Sequence, residues 1–231
     1  MNKIIISQPW GGLGDNLQFS TLPKLYSELG YEVYISTKNT YRNPEIYDLV
    51  WKLNPYIKGE IDEPPNAGEC RAVPLQSVTD QYITNIERSH DLLNGTEIYP
   101  TIYYKPIKIP SLENTLIYDI TSISSTYSDE YVQKSFEKIF EKYPNCDKKK
   151  IIFRNIANRK TPDFQTESIV IDNIFQYCDI IYSCKAYVSL LSGGSVLAST
   201  IKQHNITPDI HCFHHSHCNL FTFNNATYHF G

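Results

Sequence analysis

Two glycine-rich turns, Gly11-Gly12-Leu13-Gly14-Asp15 and Ser192-Gly193-Gly194-Ser195, are where residue type and spacing point to chemistry. Each follows a short apolar run and precedes a stretch with helical spacing. A glycine turn between a strand and a helix lets backbone N–H groups close on an anion at the helix N-terminus. Gly12, Gly14, Ser192, Gly193, Gly194 and Ser195 are therefore candidate phosphate ligands, and an ordinary tight turn is the competing role. Asp15 opens the helix after the first turn. A carboxylate there can be an N-cap or first-turn acid of the helix, worth about 0.5–2 kcal/mol, or accept a proton from an attacking hydroxyl. Arg154, Arg159 and Lys160 follow a strand and are candidate phosphate partners, with a solvated loop as the alternative.

Other chemistry-bearing residues point less clearly. Asp119 ends a strand and is followed by Ser122, Ser124, Ser125 and Thr126, a hydroxyl-rich loop that can hydrogen-bond a sugar or phosphate, or simply be a polar loop. His211-Cys212-Phe213-His214-His215-Ser216-His217-Cys218 is dense in metal-ligand types, but its spacings fit no standard zinc finger, and no metal is expected. Cys178 and Cys184 read as core residues, and Glu87 and Arg88 as solvated residues of a helix. The first turn lacks the third small residue of a dinucleotide fingerprint, Leu17 standing there. No acid ends the second strand to hold a ribose, so an NAD-linked enzyme is disfavoured. GxxxxGK[ST], GxSxG, HExxH and CxxC are absent, which removes support for P-loop, hydrolase, protease and redox readings.

The elements that must position the two turns repeat through the chain. Lys3–Gln8 reads as a strand, Asp15–Leu29 as a helix with Pro23 kinking it or marking its true first turn, Gly30 as its cap, and Tyr31–Thr37 as a second strand. This is a βαβ unit. Asn43–Leu53 is expected to be a short helix, Asn54–Gly59 a turn into a strand, Glu60–Gly68 a loop and Val78–Leu93 a helix. Three prolines between Pro100 and Pro110 mark an extended linker. Beyond it, strands are expected at Thr115–Ile120, Lys150–Arg154, Ala186–Leu191 and Ile210–Phe213. Helices are expected at Ser128–Tyr143, Ser168–Gln176 and Val196–Lys202, with Asp179–Ser183 extended. The fold class is α/β: two Rossmann-like domains, residues 1–110 and 111–231, facing a cleft.

Composition bounds the partners. The chain has 231 residues and a net charge of -4, from 21 basic and 25 acidic side chains, so a nucleic-acid partner is disfavoured. With 41% hydrophobic residues it can build a core without disulfides, and six unclustered cysteines suit a reducing compartment. No apolar run reaches the roughly 18 residues of a spanning helix, and the opening apolar run is too short for a secretory leader. A cytoplasmic location is expected.

The segment Ile4–Gly30, with Gly14-Asp15, Leu17–Thr21 and Leu22-Pro23, resembles the opening of the ADP-heptose:lipopolysaccharide heptosyltransferases, glycosyltransferase family nine. Asn54-Pro55-Tyr56-Ile57 sits where such proteins often carry a similar segment, and Cys184–Ile201 resembles their donor-binding turn and helix. The resemblance implies a GT-B fold and transfer of a sugar from a nucleotide sugar to a hydroxyl of a glycan or glycolipid. It implies Asp15 as general base, no metal or other cofactor, and donor phosphate at Gly193, Gly194 and Ser195. A lipid-linked acceptor would bring the protein to a membrane surface. Leu191-Ser192-Gly193 stands where the family has an Asp-Thr-Gly-like triplet, which leaves the sugar open and keeps a non-catalytic nucleotide- or sugar-binding protein as the alternative.

Overall fold

The computed structural model describes residues 2–8, 10–67, 87, 90–92, 99–121, 127–154, 162, 164–203, 206–214 and 222–230. They form two units, Met1–Tyr104 with Cys218–Phe223, and Lys105–His217 with Asn224–Gly231.

In the first unit, β1 (Lys3–Ile6), β2 (Glu32–Ser36) and β3 (Ile57–Ile61) form a parallel sheet in the order β1-β2-β3. Ile5, Ile6, Val33 and Ile35 are buried in it, together with Leu17, Leu22 and Leu25 from the helices that follow β1. The single helix expected over Asp15–Leu29 is two: α1 (Leu13–Gln18) and α2 (Leu22–Glu28). Pro23 stands in the first turn of α2, where its missing N–H costs nothing. Gly30, at φ +86°, ends α2 in the left-handed region that glycine enters freely. A short α3 (Glu45–Tyr47) continues as a π-helical turn, Asp48–Lys52, and buries Leu49, Val50 and Trp51.

The second unit holds β4 (Thr115–Asp119), β5 (Asp147–Phe153), β6 (Glu167–Ile171), β7 (Ala186–Leu190), β8 (Asp209–His214) and β9 (Thr227–Phe230). All pairings are parallel, in the order β6-β5-β4-β7-β8-β9. Counted within the unit, this is 3-2-1-4-5-6, the order of doubly wound nucleotide-binding sheets. Its helices are α4 (Asp129–Phe140), α5 (Ile174–Ser183) and α6 (Gly193–Lys202).

Period-2 alternation divides this sheet's faces. Leu116, Tyr118, Ala186, Val188 and Leu190 pack with Val132, Phe136 and Ile139 of α4 and with Phe213. Asp119 and Tyr187 face the other way and meet Tyr177 of α5.

Two expectations in this unit fail. Ser168–Gln176 is not a helix: Glu167–Ile171 is a strand, and its Ser-Ile-Val-Ile run is β-branched enough to be one. Asp179–Ser183 is not extended but the end of α5, whose buried Ile174, Tyr177, Cys178 and Ile181 recur at 0, 3, 4 and 7. The edge strand β9 was not foreseen; its burial is only partial, so no apolar run marks it. The expected helix at Val78–Leu93 lies outside the described residues, apart from 87 and 90–92. Among the described residues, no helix is long and apolar enough to cross a membrane.

Candidate functional site

The first turn lies beyond the carboxyl end of β1. Gly11 runs tight against the chain after β2: a Cβ there would sit 3.1 Å from both Arg42 N and Thr40 O, and Arg42 N–H donates to Gly11 O at 2.9 Å. Gly12 is the N-cap of α1 in extended conformation. A Cβ on Gly12 would meet Asp15 Oδ2 at 2.5 Å, closer than real Cβ atoms approach, so glycine is what lets the carboxylate fold back onto the turn. Gly14 lies inside α1, which is only six residues long.

Asn16 fixes the turn from below. It is fully buried, donates through Nδ2 to Gly12 O at 2.8 Å, and accepts from Trp51 Nε1 at 2.8 Å. A lost partner here would strand a buried polar group, at a cost of about 1–3 kcal/mol.

Of the two structural roles expected of it, Asp15 is the first-turn acid of α1 and not its N-cap residue. It stands in the first turn of α1, where Gly12 is the N-cap residue and no side chain caps the helix. Burial pushes the Asp15 carboxyl above its ordinary range, while the nearby Arg42 guanidinium and the Gly12 N–H pull it part of the way back. A partly buried carboxylate with a lifted proton affinity suits general-base work. Sequence reasoning missed Arg42, which comes from a separate loop 27 positions along the chain, and Asn16, whose amide looks like any polar helix residue.

The second turn lies at the point where the strand order of the larger sheet reverses, between β4 and β7. In open α/β sheets, ligands bind outside the carboxyl ends of the strands at this switch point. Ser192 is the N-cap of α6 and forms a capping box with Ser195. Its Oγ accepts from Gly194 N–H at 3.2 Å, and Ser195 Oγ donates to Ser192 O at 2.8 Å and accepts from Ser192 N–H at 3.2 Å. Both serine side chains are thus engaged in the cap, which leaves an anion-facing role to the helix end as a whole. Ser195 and Gly194 are buried.

Behind this turn lies a buried polar cluster. Asp119 accepts from Tyr177 Oη at 2.6 Å, from Tyr187 Oη at 3.4 Å, from Thr121 N–H at 2.8 Å and from the Thr121 hydroxyl. The two tyrosine hydroxyls also bond each other. The Asp119 carboxyl is 2% exposed, and burial lifts its proton affinity against the pull of these donors. The residue was legible as the end of a strand; its tyrosine partners were not, because they come from α5 and β7.

The remaining candidates fall elsewhere. Arg154 directly follows β5 and makes an exposed ion pair with Asp172 at 2.7 Å. Arg159, Lys160, the Ser122–Thr126 loop and residues 215–218 lie outside the described residues. Cys178 and Cys184 are buried, as expected of core cysteines. His211 Nδ1 lies 3.1 Å from His229 Nε2, with the rings stacked. Among the described residues, no three His, Cys, Asp or Glu side chains converge as metal ligands.

No protein-family model matches the sequence, and no curated protein matches it. Solved structures do match the fold. TibC, a dodecameric iron-containing glycosyltransferase from enterotoxigenic E. coli, superposes with a TM-score of 0.69 at 13% identity, over 97% of this chain and 63% of that one. TibC in complex with ADP-D-β-D-heptose gives 0.64 at 13% identity, over 97% and 61%. A family 9 glycosyl transferase from Veillonella parvula gives 0.62 at 8% identity, over 100% and 85%. The chain thus spans less than two thirds of the length of TibC. The resemblance drawn from the first turn is borne out in the fold: this is an α/β chain with parallel sheets, built on the plan of these glycosyltransferases.

Proposed function

We propose that the protein is a glycosyltransferase that moves a sugar from a nucleotide-sugar donor to an acceptor hydroxyl, in a GT-B arrangement and without a metal. The observation that carries this reading is the capped N-terminus of α6 at the switch point of a 3-2-1-4-5-6 sheet, in a fold shared with glycosyltransferases. The second unit holds the donor, with its diphosphate at the N-terminal turn of α6, where the helix end favours negative charge. The first unit supplies the base. The acceptor hydroxyl gives its proton to Asp15 as its oxygen attacks the anomeric carbon. The bond from that carbon to the diphosphate breaks, and the nucleoside diphosphate leaves with the electron pair, stabilised by the same helix end. The acceptor is a glycan or glycolipid. Arg159 and Lys160, which follow β5 in sequence, are further candidates for the donor phosphates.

A second reading, a nucleotide- or sugar-binding protein without catalysis, draws on Leu191, an apolar residue beside the donor turn where family nine carries an acid. Thermal unfolding against UDP-, GDP-, ADP- and CMP-sugars tests the donor assignment. A ligand at 100 times its Kd stabilises by about 2.7 kcal/mol, or roughly 5–11 °C for a chain this size. A shift with one nucleotide class is expected, and none with any class would overturn the donor assignment. Binding without nucleotide release, with acceptor glycans present, would favour the second reading.

A further inference from the structure

We propose that the anion held at the N-terminus of α6 binds together with a proton, which the site takes up on Asp119. The inference rests on the donor assignment above and adds a regulated property to it. Asp119 ends β4, the strand on one side of the switch point, and α6 begins on the other side, directly after β7. The two lie close together: a Cβ on Gly194, in the first turn of α6, would be 3.1 Å from Asp119 Oδ2. The carboxyl therefore lies behind the backbone that would hold the phosphates, together with the Tyr177 and Tyr187 hydroxyls, which approach Gly194 more closely still. It is 2% exposed, so water cannot screen it.

An ionised Asp119 and a diphosphate would face each other across one turn of backbone. With an effective dielectric constant of about 20 and a separation of about 6 Å, like charges disfavour joint occupancy roughly a hundredfold. A proton on Asp119 removes that penalty.

The surroundings leave the proton to Asp119 alone. Tyr177 from α5 and Tyr187 from β7 donate to it, and Thr121 donates from the chain beyond β4. Burial beside Asp119 holds both phenols well above their ordinary range. Cys212 of β8, which acts on Tyr187, is pushed up to about 12. Among the described residues, no lysine, arginine or histidine acts on the Asp119 carboxyl. Burial lifts its proton affinity already in the unliganded protein. A second negative charge at α6 lifts it further, and the proton comes from water.

The test is calorimetric binding of ADP-glucose, UDP-glucose, GDP-mannose and CMP-sialic acid from pH 5 to pH 9, in two buffers of different ionisation enthalpy. In the three diphosphate donors, the sugar diphosphate diester does not itself titrate in this range. The expected result is an affinity for the bound donor that falls with rising pH, by up to about tenfold per pH unit, with proton uptake that depends on buffer. Asp119→Asn keeps the donor affinity at high pH and shows neither effect. Tyr177→Phe, which keeps the carboxyl but removes a donor that favours its charged form, moves the fall to higher pH; it serves if the asparagine variant does not fold. A pH-independent affinity, or the same proton uptake in Asp119→Asn, would overturn the proposal and leave the donor assignment standing. Failure of all four nucleotide sugars to bind folded wild-type protein would overturn the donor assignment, and the proposal with it.

Discussion

Gly194→Ala is the sharpest structural perturbation of the proposed donor turn. Gly194 has no left-handed φ, so alanine meets no backbone strain, and helix propensity alone would favour it by up to about 1 kcal/mol. The surroundings forbid it. The new methyl would be driven into the Tyr177 hydroxyl and would lie 2.5 Å from the Tyr187 hydroxyl and 3.1 Å from Asp119 Oδ2. Neither ring can swing aside, because both are fully buried and both bond Asp119. Overpacking of this kind costs about 1–3 kcal/mol. Set against the full propensity gain, the net loss is about 0–2 kcal/mol, a fall in Tm of up to roughly 8 °C for a chain of this size. The assay is a double-mutant cycle with Tyr177→Phe, read by denaturant unfolding. Removing the nearest hydroxyl opens space for the methyl, so the cost of Gly194→Ala falls by about 0.5 kcal/mol or more in the phenylalanine background. A stabilising Gly194→Ala, or an unchanged cost in that background, would refute the packing argument.

Other expectations follow from the same geometry. Ser192→Ala removes the capping box of α6 and costs about 1 kcal/mol by chemical denaturation; no measurable loss would deny the cap its role. Arg42→Gln removes the positive charge that lowers the proton affinity of Asp15, so the acid limb of the pH–rate profile moves to higher pH; an unmoved limb would separate the two residues. Burial pushes His90 and His211 down to about 4, against 6.5 for a free histidine. The folded state then binds fewer protons than the unfolded chain below pH 6.5. Stability is full above that value and is lost as pH falls toward 4, by up to about 1.4 kcal/mol per pH unit for each histidine. Unfolding free energies at pH 7 and pH 5 check this, and equal values would contradict it.

Much of the site was legible because its parts are local. A strand, a glycine turn and a helix within 30 residues announce a βαβ unit, and both glycine turns fall at carboxyl ends of strands. Gly30 and Pro23 took the places their backbone preferences dictate. The misreadings came where local pattern was ambiguous. Ser168–Ile171 and Ile174–Ser183 both contain isoleucine runs, and only the 0, 3, 4, 7 recurrence of Ile174, Tyr177, Cys178 and Ile181 tells helix from strand. What could not be read was the long-range chemistry. Asn16 and Trp51, Asp15 and Arg42, and Asp119 with Tyr177 and Tyr187 meet only once the sheets form. Single-residue patterns carry no record of such pairs, because the partners are set by strand order and by which face of the sheet each residue takes.

The central claim, sugar transfer with Asp15 as base, is tested most directly by nucleotide release. The nucleotide sugar that stabilises the protein is incubated with hydroxyl acceptors and a chelator, and the nucleoside diphosphate is quantified for wild type and Asp15→Asn. The account predicts acceptor-dependent release by wild type that survives chelation. It predicts a loss of about 10²–10⁴-fold in Asp15→Asn, with donor binding and Tm retained. Full transfer by Asp15→Asn would contradict it.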